Sequence, residues 1–394
     1  MTTGNSIVDY IFMDLLYLGV TSQNIAAEMK IAAFNIQRFG LTKVSNPDVL
    51  SALVKIVSRY DIIVILEVVD VSGTAVELFV KELNRANASH HYAQQLSSRL
   101  GRNRYKEQFL FLYRDDVVDL VDCYQYEDNQ ECDMDAFARE PYILHFKPHN
   151  TVKGIAGLTS SVNHRLQCTC TVLKDIVLIP VRTTQWDTEK ELDELYDVFL
   201  AVKAKWKTDN VMILGDFNAD GKFVTHKGMK ELRIRSDKNF HWLIGDDVDT
   251  TSNTANTHTY DRIVVYGDDV MAAIVPQSAK PFNFHREFSM TEELAQQVSD
   301  RYPVEVELSS SLPFWMTNPI QRRDVEHTLH ATVNKALSVN LQADLSTLQK
   351  ENLLLEREKL QLQISILKHH LTTLSRKQPQ SNKLHNPEIF SHLP

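Results

Sequence analysis

The chain has 394 residues, 43% of them hydrophobic, which is enough for a packed core and too many for a disordered chain. With 42 Lys+Arg against 51 Asp+Glu the net charge is −9, so any attraction to nucleic acid or an anionic membrane must come from a local patch. Four cysteines, 12 glycines and 12 prolines exclude a small disulfide scaffold and collagen-like or low-complexity character.

Residues 1–28 read as an N-terminal extension with no strong period. Within it, residues 7–20 are signal-like but poor: Asp9 and Asp14 interrupt the apolar run, and no Lys or Arg precedes it. No stretch reaches the ~18 apolar residues of a membrane span. From residue 31 short apolar runs suited to buried strands begin, at 31–36 and 61–67, with a helical spacing over 46–59 between them and a second helix over 74–86. Further strands are expected at 109–113, 117–124, 142–146, 175–180, 211–216, 262–265 and 304–308, and a strong helix at 188–206. Strands outnumber helices and some helices lie between strands, so the pattern predicts a layered α/β or α+β fold over an all-β sandwich.

Two segments break this rhythm. Residues 153–173 are weakly patterned and hold Cys168 and Cys170; two ligands without a partner pair make a weak metal signal, so a loop insertion is expected. Pro313 and Pro319 mark a linker over 309–332. Over 333–377 there is neither proline nor glycine, and Leu341, Leu348, Leu355 and Leu362 recur every seven residues, as do Leu353, Leu360, Leu367 and Leu374. That predicts a long helix with coiled-coil character and self-association, with Asn352 at a seam position. A single helix folded back on the globular domain is the alternative. Residues 378–394 read as a disordered tail.

Chemistry in layered α/β folds gathers where strands end. Here those ends carry Asn35, Glu67, the Asp216 and Asn218 of Gly-Asp-Phe-Asn-Ala-Asp, Asp261 and Asp300. Their oxygens are hard ligands suited to Mg²⁺ or Ca²⁺, and five such ends predict a shared metal site.

These residues lie within stretches that resemble the deoxyribonuclease I family: Lys-Ile-Ala-Ala-Phe-Asn-Ile at 30–36, Tyr-Asp-Ile-Ile-Val-Ile-Leu-Glu-Val at 60–68, Leu-Gly-Arg-Asn-Arg-Tyr-Lys-Glu at 100–107 and Arg-Glu-Pro at 139–141. Gly-Asp-Phe-Asn-Ala-Asp at 215–220, Tyr-Asp-Arg-Ile-Val at 260–264 and Ser-Asp-Arg-Tyr-Pro-Val-Glu at 299–305 follow in order. The resemblance covers residues 29–308, about 70% of the chain. It implies a four-layer sandwich of two mixed β-sheets flanked by helices, of the endonuclease/exonuclease/phosphatase type, that hydrolyses DNA phosphodiester bonds with Mg²⁺ and/or Ca²⁺. Glu67 would hold the cation, with Asn35, Asp216 and Asp300 around it, and Asn218 would contact the scissile phosphate. Arg102 and Tyr105 match residues along the minor groove of double-stranded DNA, Arg139 one near the phosphate backbone, and Tyr260 is grouped with them as DNA-binding. Two histidines of the family act as general base and general acid, oriented by acids that match Glu107 and Asp261.

Both histidine positions are arginine in this chain. The family's Pro-Leu-His-Thr-Thr reads Pro180-Val181-Arg182-Thr183-Thr184, and its Ser-Asp-His-Tyr-Pro reads Ser299-Asp300-Arg301-Tyr302-Pro303. A guanidinium, with a pKa above ~12, cannot trade a proton near neutrality. Each lost proton transfer is worth about 10²–10⁴ in rate. The sequence therefore predicts impaired hydrolysis, or an inactive relative that binds DNA or phosphate, with Arg182 paired to Glu107 and Arg301 to Asp261. The family's stabilising disulfide falls on Gly221 and His258 and is absent; two DNA-facing arginines of the family fall on Gln37 and Val69. The family is usually secreted or found in the endoplasmic reticulum or nuclear envelope. The poor signal and the missing bridge leave the compartment open.

Overall fold

The computed structural model describes residues 28–128, 136–149, 173–221, 223–253 and 257–309. The expectations for 1–27, for 153–172 with Cys168 and Cys170, and for the linker, long helix and tail beyond residue 309 lie outside the described residues. The strands in chain order are β1 (Glu28–Phe39), β2 (Ile62–Val68), β3 (Tyr92–Leu96), β4 (Gln108–Arg114), β5 (Val118–Gln125), β6 (Tyr142–Pro148), β7 (Ile176–Arg182), β8 (Val211–Asp216), β9 (Phe240–Trp242), β10 (Asp261–Tyr266), β11 (Lys280–Pro281) and β12 (Val304–Ser309). They form two six-stranded sheets, ordered β11-β12-β1-β2-β4-β3 and β5-β6-β7-β8-β10-β9. Each sheet is mixed: β1–β2 and β7–β8 run parallel, and the remaining pairs are antiparallel.

The central strands are buried on both faces, which explains their continuous apolar runs. In β2, Ile62, Val64 and Leu66 face a core shared with Leu178 of β7 and Met212 and Leu214 of β8, so the two sheets pack face to face. The alternate residues Ile63, Ile65 and Val68 join Leu53, Ile56, Phe79 and Leu83 of the helices Pro47–Val57 and Thr74–Ala86. On the second sheet, Val177, Ile179, Val211 and Ile213 pack against Leu192, Leu195, Val198 and Phe199 of the helix Thr188–Trp206. Helix, sheet, sheet and helix follow one another, as the resemblance implies. The helix Pro47–Val57 begins where expected because the Asn46 side chain accepts from the Asp48 and Val49 amides and Pro47 opens the first turn.

The parallel pairs place the C-terminal ends of β1 and β2 at one edge of their sheet and those of β7 and β8 at one edge of the other. The end of β8 needs Gly215: its φ is +139°, and a Cβ there would lie 2.2 Å from the Val181 carbonyl oxygen. That close approach of β7 and β8 seats Arg182 beside Asp216. Among the described residues no helix is long and apolar enough to cross a membrane.

Candidate active site

Strand register brings three of the expected residues to one level. Arg182 of β7 is the partner of Asp216 on β8, and Asp216 is the partner of Asp261 on β10. The other sheet contributes Asn35 from β1 and Glu67 from β2. Asn35 donates through Nδ2 to Asp216 Oδ2 at 2.9 Å and accepts from the Gln37 amide through Oδ1. Beyond Asn35 the β1–β2 register shifts, and Gln37 and Arg38 adopt φ of 51° and 59°. The bulge turns the Arg38 amide toward Glu67, whose Oε2 accepts from it at 3.1 Å. Glu67 and Asn218 also have positive φ, 60° and 47°. Such backbone costs of order 1–3 kcal/mol per residue and collects at functional sites.

The guanidinium of Arg182 lies among these acids. Its Nη2 donates to Glu67 Oε1 in a very short contact, and its Nη1 donates to the Thr183 carbonyl at 2.9 Å and stands 3.4 Å from Asp216 Oδ2. Burial works to lower its pKa, but the carboxylates of Asp216, Glu67 and Glu107 outweigh burial and hold it above its ordinary value. Arg182 is thus permanently cationic. Arg301 is similar: its Nε is 3.4 Å from Asp261 Oδ2 and its Nη1 3.2 Å from Asp300 Oδ2. Burial opposes the charge, and Asp216, Asp261 and Asp300 sustain it.

One expected ion pair is formed and one is not. Arg301 pairs with Asp261, as the sequence predicts. Glu107 pairs instead with Arg139, whose Nη2 donates to Glu107 Oε1 at 2.8 Å. Arg182 is close enough to Glu107 to act on its charge, but reaches across to Glu67 because the β7–β8 register aims it at the shared end of the two sheets. Burial raises the Glu107 pKa against the pull of Arg182 and Arg139. Burial, and then Asp216, push Asp261 well above the ordinary carboxylate range, with Arg301 and Thr250 opposing.

Of the residues expected to face DNA, Tyr105 is exposed, while Arg102 is tied to Asp187 Oδ2 at 2.8 Å and to the Ala136 carbonyl at 3.0 Å. Arg139 is turned inward to Glu107. Tyr260 carries Arg301 over its ring at 4.5 Å and stacks on His258 at 4.7 Å. A Cβ on Gly221 would sit 3.4 Å from the His258 ring, so the two positions that the resemblance assigns to the missing bridge are adjacent in space.

Several site residues were not singled out from sequence. Thr183, fully buried, accepts from Asn218 Nδ2 through both its carbonyl and its hydroxyl. Thr250 donates to Asp261 Oδ2 at 3.1 Å. Lys43 donates to the Ile36 and Val298 carbonyls beneath the site, and burial lowers its pKa to about 8 against the pull of Asp300 and Glu67. Only the Thr183-Thr184 pair carried a signal, through the matching family segment; Thr250 and Lys43 lie in stretches with none.

The donor set can be weighed against the divalent ion that the family's chemistry generally uses. Asn218 Oδ1 is buried and without a hydrogen-bond partner in the structure, which suits an incoming donor or cation. The carboxylates do not fit in the same way. Glu67 Oε1 and Asp216 Oδ2 face Arg182, Asp300 Oδ2 and Asp261 Oδ2 face Arg301, and Asn35 turns its amide nitrogen, not its oxygen, to Asp216. Among the described residues no group of three or more acidic, histidine or cysteine side chains is arranged to hold a metal ion.

Comparison with known proteins agrees with this architecture. The model of the Endonuclease/Exonuclease/phosphatase family matches residues 32–289. The chain is 43% identical over 282 residues to deoxyribonuclease-1-like 1 of Cricetulus griseus, covering 72% of this chain and 84% of that one. It is 42% identical to deoxyribonuclease-1 of Oryctolagus cuniculus, covering 75% and 97%, and 38% identical to deoxyribonuclease gamma of Homo sapiens, covering 76% and 91%. Two mixed sheets with their strand ends converging on Asn35, Glu67, Asp216 and Asn218, together with identity at this level over nearly the whole of those relatives, place this chain in the deoxyribonuclease I family.

Proposed function

We propose that this domain is a DNA endonuclease of the deoxyribonuclease I type whose phosphodiester hydrolysis is strongly impaired. One observation carries the reading: at the two positions where the resemblance puts proton-transferring histidines, Arg182 and Arg301 are half-buried guanidiniums clamped by carboxylates. A guanidinium held above its ordinary pKa neither takes a proton from water nor gives one to a leaving oxygen. What remains is binding. Asn218 would meet the phosphate, Tyr105 and Arg102 would lie along the minor groove, Tyr260 would line the approach, and Arg139, held inward on Glu107, would add positive charge near the phosphate. Asp261 would position the Arg301 guanidinium, while Glu67 and Asp216, not Glu107, hold that of Arg182. Glu67 and its neighbours are the residues that would hold a Mg²⁺ or Ca²⁺ ion, which would supply charge neutralisation at the phosphate; here the arginines already neutralise part of the same acid cluster.

A second reading is a relative that holds DNA or phosphate without turnover, because two added cations beside a phosphate site favour ground-state binding. Plasmid nicking with Mg²⁺ and Ca²⁺, run beside duplex binding, separates the two. Slow nicking, more than about 10²-fold below a histidine-bearing relative, is the expected result. Retention of duplex without any nicking favours the second reading, and nicking within about 10² of the relative overturns the impairment.

A further inference from the structure

We infer that the Arg182 guanidinium is the resident cation of this pocket, standing between Glu67 and Asp216 where the family reading assigns a divalent metal ion. The inference rests on that reading only for the location of the metal site. The rest is geometry. Arg182 ends β7 as the register partner of Asp216, so the two side chains leave adjacent strands on the same face. From there the planar fork spans both sheets: Nη1 is held by the Thr183 carbonyl and stands beside Asp216 Oδ2, while Nη2 reaches Glu67 Oε1. The Glu67 carboxylate is fixed from its other side by the Arg38 amide at Oε2, and Asp216 from its other oxygen by the Asn218 amide. Both acids are therefore oriented with the guanidinium already in place. Their buried charge is compensated by a covalently attached cation that cannot be chelated away.

A divalent ion would need Glu67 or Asp216 oxygens at ~2.0–2.6 Å. At that distance it would be only a few ångströms from Arg182, and like charges so close in a buried site repel strongly. Occupancy thus requires Arg182 to leave, breaking its contacts with Glu67, Asp216 and Thr183. Without Arg182, Glu67 and Asp216 lose the cation that contacts them both, with only the more distant Arg301 and Lys43 acting on them, and the cluster becomes an acceptor for a hard ion.

The test is Mn²⁺ titration of the full chain, followed by electron paramagnetic resonance, with thermal melting in Mn²⁺ or a chelator. We expect the wild type to show no saturable Mn²⁺ site that depends on Glu67, and a melting temperature indifferent to the chelator. Arg182→Ala is expected to melt lower in the chelator, to recover in Mn²⁺, and to bind Mn²⁺ at least about tenfold more tightly. Arg182→Ala combined with Glu67→Gln should lose that gained site. If Arg182→Ala does not fold, wild type and Glu67→Gln decide alone. Saturable Mn²⁺ binding by the wild type that Glu67→Gln abolishes overturns the inference, and equal, weak, unsaturable binding by both supports it. Because no DNA is present, failure here leaves the nuclease reading untouched, and loss of nicking leaves this result untouched.

Discussion

Glu107, 3% exposed, is paired with Arg139 and not with Arg182, which stands near it. Two arginines thus compete for one buried acid, and the chain's register resolves the competition. Arg139 lies in the short segment just before β6 and reaches down to Glu107, while Arg182 is drawn to Glu67 of β2 and Asp216 of β8. Burial favours the neutral acid, so the carboxylate depends on these two cations. Glu107→Ala would leave Arg139 buried and unpaired, at a cost of about 3–5 kcal/mol in urea unfolding. Exchanging both residues together, Glu107→Leu with Arg139→Met, should cost markedly less. Equal losses in the single and double variants would show that the pair is not coupled.

The two guanidiniums should act as a unit in catalysis. Restoring one proton carrier leaves the other transfer blocked, so Arg182→His and Arg301→His alone should each change nicking little. Together they should raise it by at least about 10². Rates of supercoiled plasmid nicking in Mg²⁺ check this, and a double variant no faster than the wild type would place the defect in the DNA surface instead.

Glu191 gives the fold a pH dependence. Its Oε1 accepts from the Thr184 amide and hydroxyl, anchoring the segment that follows Arg182, and burial pushes its pKa up to about 6 from an ordinary 4.5. The folded state therefore holds a proton that the unfolded chain has released between those values. Stability from this group is fullest below about pH 4.5 and is lost as pH rises through about 6. Glu191→Gln keeps an acceptor for Thr184 and removes the titration. It should stabilise the protein at pH 7 by about 2 kcal/mol and flatten the pH 4.5–6 slope in chemical denaturation.

The leucine heptads over 333–377 make a prediction independent of the nuclease fold. Self-association through them should give an apparent mass in size-exclusion chromatography well above that of one chain, falling when residues 330–380 are removed. An unchanged apparent mass per chain would remove the coiled-coil reading and favour a helix that serves its own domain.

His258 tests the diagnosis of lost proton transfer from another direction. Its Nδ1 is 3.3 Å from Asp220 Oδ2, and its ring meets the same Tyr260 that Arg301 covers. The Tyr260 contact holds this imidazole at the rim, so His258→Asn should leave any residual nicking within about threefold. A collapse of that residual rate would identify His258 as a substitute proton carrier.

Most of the strands that sequence reading found are central ones buried on both faces, although the half-exposed edge strand β5 was found as well. β1, β2, β7 and β8 read as unbroken apolar runs because each packs against the other sheet on one side and helices on the other. The strands it did not find, β3, β9 and β11, are short edge strands with one neighbour. Sequences such as Tyr-Ala-Gln-Gln-Leu in β3 need no periodicity to extend a sheet that already exists. At the site, Asn35, Glu67, Asp216 and Asn218 were legible as polar residues at the ends of apolar strands, and Asp261 and Asp300 as acids at or just before the start of later ones.

The order of apolar runs and polar strand ends determined the layered fold by itself, because burial and charge are properties of residue type; the family, and the two arginines where proton carriers are expected, were legible only through the resemblance of the motifs at those ends. Which acid each arginine holds was decided only by the assembled sheets. The β7–β8 register, the left-handed backbone at Glu67 and the bulge after Asn35 set side-chain directions to within a few ångströms, and an ion pair in a buried pocket depends on that distance rather than on sequence spacing.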